Sequence, residues 1–479
     1  MLFNSIHFVL FFPIVVLLYF ALPHRFRWLL LLAASYYFYM CWNVKYSLIL
    51  VTVTLIDYSA GIRIEESKTV GRRRLFLCLS LMSNLGLLFY FKYFNFLMQT
   101  LNQALDVYRF SYRLPYLDLL PPIGISFYTF QSMSYTIDIY RRMRKAERHL
   151  GYYALYAAYF PKLAMGPIER SARVLPQLHA PQVFDAARLA SGLRLMLWGL
   201  FKKVVIADRL GILVSQVYGA PDKHGGPAII IATYFFAFQI YCDFSGYSDI
   251  AIGAARVMGI KLMDNFKRPY FAKTIQEFWQ RWHISLSSWL RDYLYLSMVR
   301  RGMSLSARYG CLLVTFVLCG LWHGAFKHFV FWGALHGIFL VTGLVTRPWR
   351  KRAAERLGLT RYPFLIKCYQ VFVTFHLVVF SMVFFRANSL RDALTLLKRT
   401  FDFHNMTILL PDGLDKYDMA FAFLCIAFLV GVELVQRKVC IGDALARKPI
   451  WMRWAVYYAG IFTVMLLAGG TGAFIYFQF

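Results

Sequence analysis

Two histidines in unlike surroundings are the residues best suited to chemistry in this sequence. His323 sits in Cys319-Gly320-Leu321-Trp322-His323-Gly324-Ala325, which ends the apolar run Cys311 to Leu321. His283 sits in the dense block Phe278-Trp279-Gln280-Arg281-Trp282-His283-Ile284-Ser285-Leu286-Ser287-Ser288-Trp289-Leu290-Arg291-Asp292-Tyr293. Counted from Arg308 at ~1.5 Å per residue, His323 lies roughly 22 Å along a helix, a depth inside hydrocarbon. Polar groups there are costly and are functional candidates by default. A neutral imidazole in apolar surroundings suits a general base, because desolvation opposes its protonation until a substrate hydroxyl supplies the proton. The plainer reading of such a histidine is polar glue between helices. Gly320 and Gly324, flanking the ring, predict close approach of a substrate to the backbone.

The block from Trp279 to Tyr295 mixes aromatics, hydroxyls and two arginines too finely for a lipid-facing span. It reads either as an interfacial helix with a Trp/Tyr belt and snorkelling arginines, or as a cavity wall. In the second case Arg281 and Arg291, with Lys267 and Arg268 upstream, meet the phosphates of an anionic cofactor. No metal is expected. His323, His328 and His336 are spaced by five and eight residues, unlike the i, i+4 pair of a helical zinc motif. The eight cysteines are scattered through apolar segments without a CxxC pairing, which indicates neither a zinc site nor a disulfide framework.

The elements that must position these residues are membrane helices. Of 479 residues 59% are hydrophobic and only 16% charged, against about 45–50% and 25% in soluble domains. This excludes an ordinary soluble enzyme. The net charge of +29 reads as cytoplasmic loops enriched in Lys and Arg rather than as a nucleic-acid surface, and such loops also attract anionic lipid headgroups. Basic clusters at Arg63 to Arg74, Arg141 to Arg148, Lys202 to Arg209, Lys267 to Arg301, Arg347 to Arg356 and Arg437 to Arg453 are therefore placed inside.

Spans follow at Leu2 to Leu22, Trp28 to Met40, Tyr46 to Ile62, Leu75 to Phe94, Tyr362 to Phe384, Tyr417 to Val435 and Trp454 to Gly470, with both termini outside. Met1 to Leu22 has no Lys or Arg before its apolar run, so it reads as the first span and not as a cleaved signal peptide. Tyr152 to Met165 and Leu189 to Val205 are short and interrupted, as re-entrant or interfacial helices are. About a dozen spans are expected by length. With no repeat or linker apparent, residues 1–479 read as one integral domain, with 471–479 an extracytoplasmic tail.

The block Phe278 to Tyr295 combines with Leu321-Trp322-His323-Gly324-Ala325 and Phe331-Trp332-Gly333-Ala334-Leu335-His336-Gly337. Pro122-Ile123-Gly124-Ile125-Ser126-Phe127-Tyr128-Thr129-Phe130-Gln131, Phe160-Pro161-Lys162, Gly166-Pro167-Ile168 and Phe244-Ser245-Gly246-Tyr247-Ser248-Asp249 extend the pattern. Together these resemble the membrane-bound O-acyltransferase family, in its bacterial branch containing the alginate O-acetyltransferase membrane subunit. The chain departs from many relatives at Leu296 to Arg301, which replaces a Pro-Leu-Gly-Gly turn, and at Phe326-Lys327-His328, which replaces Asn-Trp.

The resemblance implies an all-α polytopic fold: a ring of tilted transmembrane helices, with re-entrant and interfacial helices, around a central catalytic tunnel. It implies a catalytic His323, with His283 a second polar residue at the same centre. Arg281, Arg291, Ser285, Trp322 and Asp292 are then expected to line the donor site or cavity. Acetyl-CoA is the implied donor. The implied setting is the bacterial inner membrane, with a periplasmic acetyltransferase of the Ser-His-Asp type as partner, within a polysaccharide synthesis and secretion complex.

No GxSxG elbow occurs in this chain, and Arg386 to Lys416 is shorter than the roughly 50 residues of a small domain, which fits a separate partner. The tail Phe474-Ile475-Tyr476-Phe477-Gln478-Phe479 resembles the C-terminal motif of the accessory peptide of the related D-alanyl-transfer enzymes. Tyr476 is therefore expected either as an acyl relay or as an aromatic anchor. Peptidoglycan, cellulose, lipid or protein acceptors remain alternatives. So does a transporter or flippase of an acylated carrier, which would carry internal symmetry and paired broken helices.

Overall fold

A computed structural model of the chain describes residues 1–110, 112–118, 121–402, 416–467 and 474. Every regular element among them is helical. Among the described residues eight helices are long and apolar enough to cross a membrane: Val44–Glu66, Val70–Val107, Gly226–Val257, Leu305–His323, Lys327–Val345, Pro363–Arg386, Lys416–Val435 and Ile450–Leu467. Ile6–Ala21 is apolar but shorter. Five expected spans, from Tyr46, Leu75, Tyr362, Tyr417 and Trp454, fall on these helices, the last of them as far as Leu467, where that described stretch ends. The expected dozen is not reached on length and apolarity alone, because several further helices are short or polar.

The described residues form two compact units, Met1–Trp198 with Tyr247–Met263, and Gly199–Gly246 with Asp264–Phe479. In the first, the helix Ile125–Tyr140 is buried over most of its length although it carries Gln131, Ser132, Ser134, Thr136 and Asp138. Hydropathy does not pick it out because its neighbours are protein. Near it Asp57 is fully buried and accepts hydrogen bonds from Ser80 Oγ (2.5 Å) and Asn84 Nδ2 (2.9 Å), while Ser80 reaches Thr136 (3.0 Å). A buried carboxylate is tolerable only with such partners. The interrupted segment near Tyr152 is broken into Leu150–Ala158 and Phe160–Leu163.

The second unit carries both histidines. Ser304 Oγ accepts from Ala307 N (3.3 Å) and starts the helix Leu305–His323, satisfying one of the N–H groups a helix start leaves open. Thr274 does the same for Ile275–Arg281, accepting from Glu277 N at 3.0 Å. Leu305–His323 crosses Lys327–Val345 at glycines. A Cβ on Gly320 would stand 2.2 Å from the Phe329 carbonyl oxygen, and one on Gly333 would stand 2.2 Å from that of Phe316. The backbones therefore touch, as small residues allow in membranes.

This corrects the expectation drawn from Gly320 and Gly324. Their open sides are filled by the neighbouring helix, since a Cβ on Gly324 would meet the Phe329 ring at 2.3 Å. The glycines set a helix crossing and leave no room there for a substrate.

Candidate active site

The block around His283 is broken where the chemistry lies. The helix Ile275–Arg281 ends, and His283 adopts a left-handed conformation (φ 44°) as the cap of Ile284–Trp289. A non-glycine residue at positive φ is held there at a cost, and Asn265 does the holding. Its Oδ1 accepts from Ser285 N (3.2 Å), Ser285 Oγ (2.9 Å) and His283 Nδ1 (3.2 Å), while its carbonyl oxygen accepts from Ile284 N (2.9 Å). Asn265, His283 and Ser285 are all buried.

These bonds assign the tautomer. A backbone N–H only donates, so the Asn265 atom facing Ser285 is the oxygen, and His283 Nδ1 must carry the proton. Nε2 then bears the lone pair. Burial pushes the His283 imidazole down to about 3, so this ring, in the broken segment between two spans, is neutral at ordinary pH.

His323 is the last residue of its helix and is 3% exposed. Its ring centre lies 4.9 Å from Trp322, 5.1 Å from Trp332, 5.2 Å from Phe385 and 6.4 Å from His283. Phe244, from the helix Gly226–Val257, packs edge-on against His283 at 4.6 Å. The two imidazoles are thus flanked by aromatic rings, with their ring centres 6.4 Å apart.

Behind this pair lies a layer that sequence reading did not find. Trp279 Nε1 donates to His336 Nδ1 (3.2 Å), and His336 Nε2 lies 2.9 Å from Ser381 Oγ, which donates to the Val378 carbonyl (2.7 Å). An indole only donates, so His336 Nδ1 accepts and Nε2 carries the proton to Ser381. Both nitrogens are committed, leaving His336 no lone pair for a metal. The only early sign of this layer was a Trp and a His four residues apart in Trp332-Gly333-Ala334-Leu335-His336. The partners Asn265 and Ser381 carry no sequence signal at all.

Of the other expected residues, Ser285 and Trp322 lie with the histidines; the Trp322 ring is 5.9 Å from that of His283. Arg281 pairs with Glu277 (2.5 Å), and Arg291 with Asp292 (2.8 Å). Their side chains are 29% and 65% exposed, so they form a solvated rim rather than part of the buried pair. Tyr476 lies outside the described residues. Phe474, two positions before it, is fully buried, with Lys203 Nζ 4.6 Å from its ring centre. Lys203 is itself buried and paired with Asp243 (2.6 Å) and Asp208 (2.8 Å).

Comparison with known proteins places this arrangement. The family model for the membrane-bound O-acyltransferases, MBOAT, matches residues 75–385, a stretch containing both histidines and the residues described above as packing around them. The chain is 38% identical over 441 residues to the probable alginate O-acetylase AlgI of Pseudomonas aeruginosa, covering 89% of this chain and 80% of the relative. It is 34% identical over 397 residues to the peptidoglycan O-acetyltransferase of Helicobacter pylori (78% and 72% covered). It is 26% identical over 279 residues to the teichoic acid D-alanyltransferase of Bacillus subtilis (56% and 69% covered). An acyltransferase of the membrane is what a buried, aromatic-walled histidine pair at the end of a spanning helix can serve, and the chain belongs to the membrane-bound O-acyltransferase family.

Proposed function

We propose that this enzyme takes acetyl groups from acetyl-CoA on the cytoplasmic side of the bacterial inner membrane. It passes them outward to a periplasmic acetyltransferase that O-acetylates an exopolysaccharide of the alginate type. The observation that carries the reading is the enclosed pair of His323 and His283 in a unit built from spanning helices. The names of the similar proteins, acetylases of alginate and of peptidoglycan, support an acetyl group and a polymer acceptor.

In the step itself, an acceptor hydroxyl gives its proton to His323 while its oxygen attacks the thioester carbonyl carbon. The C–O bond forms, the C–S bond breaks, and the thiolate of CoA leaves with the proton that His323 returns. His283, with Nδ1–H committed to Asn265, offers Nε2 as an acceptor. That suits orienting the attacking hydroxyl rather than donating to the developing oxyanion. Tyr476 serves as first acceptor, its phenol of ordinary pKa about 10 requiring such a base. Burial of Phe474, two residues earlier, supports this role over that of a lipid anchor. Arg281 and Arg291 attract the phosphates of CoA at the rim.

Purified protein with labelled acetyl-CoA tests this. Wild type is expected to release CoA and to carry label on its C-terminal peptide. His323→Ala is expected to lose both by ~10²–10⁴-fold, the scale of general acid–base catalysis, and Tyr476→Phe to lose the peptide label. No CoA release by wild type, with or without an added acceptor, would overturn the acetyl-CoA reading and bring the carrier-transport reading forward.

A further inference from the structure

The layer behind the histidines contains a hydrogen-bond donor that has no acceptor among the described residues. Trp332 is 1% exposed, with its ring centre 5.1 Å from His323, 4.8 Å from His336, 5.8 Å from Trp279 and 5.0 Å from Phe385. Two indoles share this cage. The N–H of Trp279 is satisfied by His336, whereas Trp332 Nε1 is buried without an acceptor among the described residues. Leaving a buried donor unmade costs ~1–3 kcal/mol, and native structures keep few such groups. Phenylalanine would keep an aromatic ring here without that cost.

The neighbours cannot relieve it. His336 has both nitrogens committed, to Trp279 and to Ser381, and Phe385 offers only its ring. Among the described residues against the histidines, the indoles of Trp332 and Trp322 are the N–H donors for charge that builds on an acyl oxygen; the Trp322 ring lies 4.9 Å from that of His323 and is not part of the layer behind the pair. His283 holds its one proton toward Asn265, and His323 is assigned to the attacking hydroxyl.

We propose that the indole N–H of Trp332 donates a hydrogen bond to the carbonyl oxygen of the acyl group in transit, making Trp332 a catalytic residue. The inference rests on the acyl-transfer reading above. When the acceptor oxygen attacks, the C=O electron pair moves onto that oxygen. The indole N–H bonds to it more strongly, and the pair returns as the thiolate departs; the indole proton is not transferred. A fixed donor in a water-excluded site is worth most at that moment. Trp332 and His323 face one another across 5.1 Å at 89°, which places the donor's ring beside the base that starts the attack.

The test uses the detergent-solubilised full chain with acetyl-CoA and follows CoA release in wild type, Trp332→Phe and His323→Ala. Trp332→Phe is expected to lose about 10²–10³-fold in kcat, the effect of removing one oxyanion donor, with KM for acetyl-CoA within about two-fold, the pattern of an interaction made only in the transition state. Because Phe is smaller than Trp, a second variant carries benzothienylalanine at position 332, the sulfur isostere that keeps both rings and removes only the N–H. The same loss is expected. A kcat within about three-fold of wild type in either variant, or a rise in KM at unchanged kcat, overturns the proposal. If the wild type releases no CoA, the acyl-transfer reading itself fails; if His323→Ala is inactive while the wild type and the isostere are fully active, only the role of Trp332 does.

Discussion

Asn265 is the residue on which the geometry of the histidine pair depends. One carboxamide oxygen holds two donors of Ser285 and the Nδ1–H of His283, and with them the left-handed backbone at His283. Asn265→Ala leaves several buried donors unmade at ~1–3 kcal/mol each. It is therefore expected to lower the thermal midpoint and to depress CoA release at least ten-fold, whereas Asn265→Asp, which keeps an acceptor, restores most of the stability. Thermal unfolding in detergent alongside turnover checks both. A pH dependence follows from His283. Its folded value, about 3, lies below the ordinary 6.5, so the unfolded chain binds the proton first as pH falls. Stability is level above about pH 6.5 and falls below it, at up to ~1.4 kcal/mol per pH unit from this group. His283→Gln is expected to flatten that acid limb between pH 6.5 and 4.5; an unchanged limb would show that His283 is not the group responsible.

At the scale of elements, the crossing of Leu305–His323 with Lys327–Val345 fixes where His323 and Trp332 meet. Gly333→Leu drives a side chain into the Phe316 carbonyl. It is expected to cost at least the ~1–3 kcal/mol of an overpacked interior and to abolish turnover, while Gly343→Leu on the same helix, where a Cβ meets nothing within 4 Å, is expected to be silent in a thermal-shift assay. This scale also shows what a reader of the sequence can and cannot see. His323 and His283 stood out because polar groups in apolar runs are costly enough to need a reason. Most of the long spans stood out because lipid demands continuous apolarity, but Gly226–Val257 and Lys327–Val345 were not among the expected ones. Ile125–Tyr140 did not, since a helix surrounded by protein may be polar, and the break at His283 did not, since a positive φ is imposed by partners distant in sequence. Gly320 and Gly324 were visible, yet their purpose depended on Phe329, which only the packing supplies.

Among the described residues, large apolar side chains face outward and several ionisable ones are buried, within a core that is otherwise apolar. Leu17, Leu48, Met82, Phe364, Phe372, Leu424, Phe462 and Met465 are exposed, whereas Asp57, Asn84, Lys162, Lys203, Asp243, His283, His323 and His336 are buried. This is how a chain solvated by lipid must distribute them. The proposed function requires the basic segments, the helix Arg347–Arg356 among them, to face the cytoplasm, as the positive-inside rule expects. A cysteine introduced as Arg352→Cys is expected to react with a membrane-impermeant thiol reagent in inside-out vesicles and to be protected in intact cells. Reaction in intact cells would reverse the proposed direction of transfer. The most direct test of the account uses sealed inside-out vesicles given labelled acetyl-CoA from outside, the cytoplasmic face, with the fate of the label followed in the lumen. The account predicts lumenal acyl label with wild-type chain and none with His323→Ala; equal lumenal label with the two would contradict acyl transfer through His323.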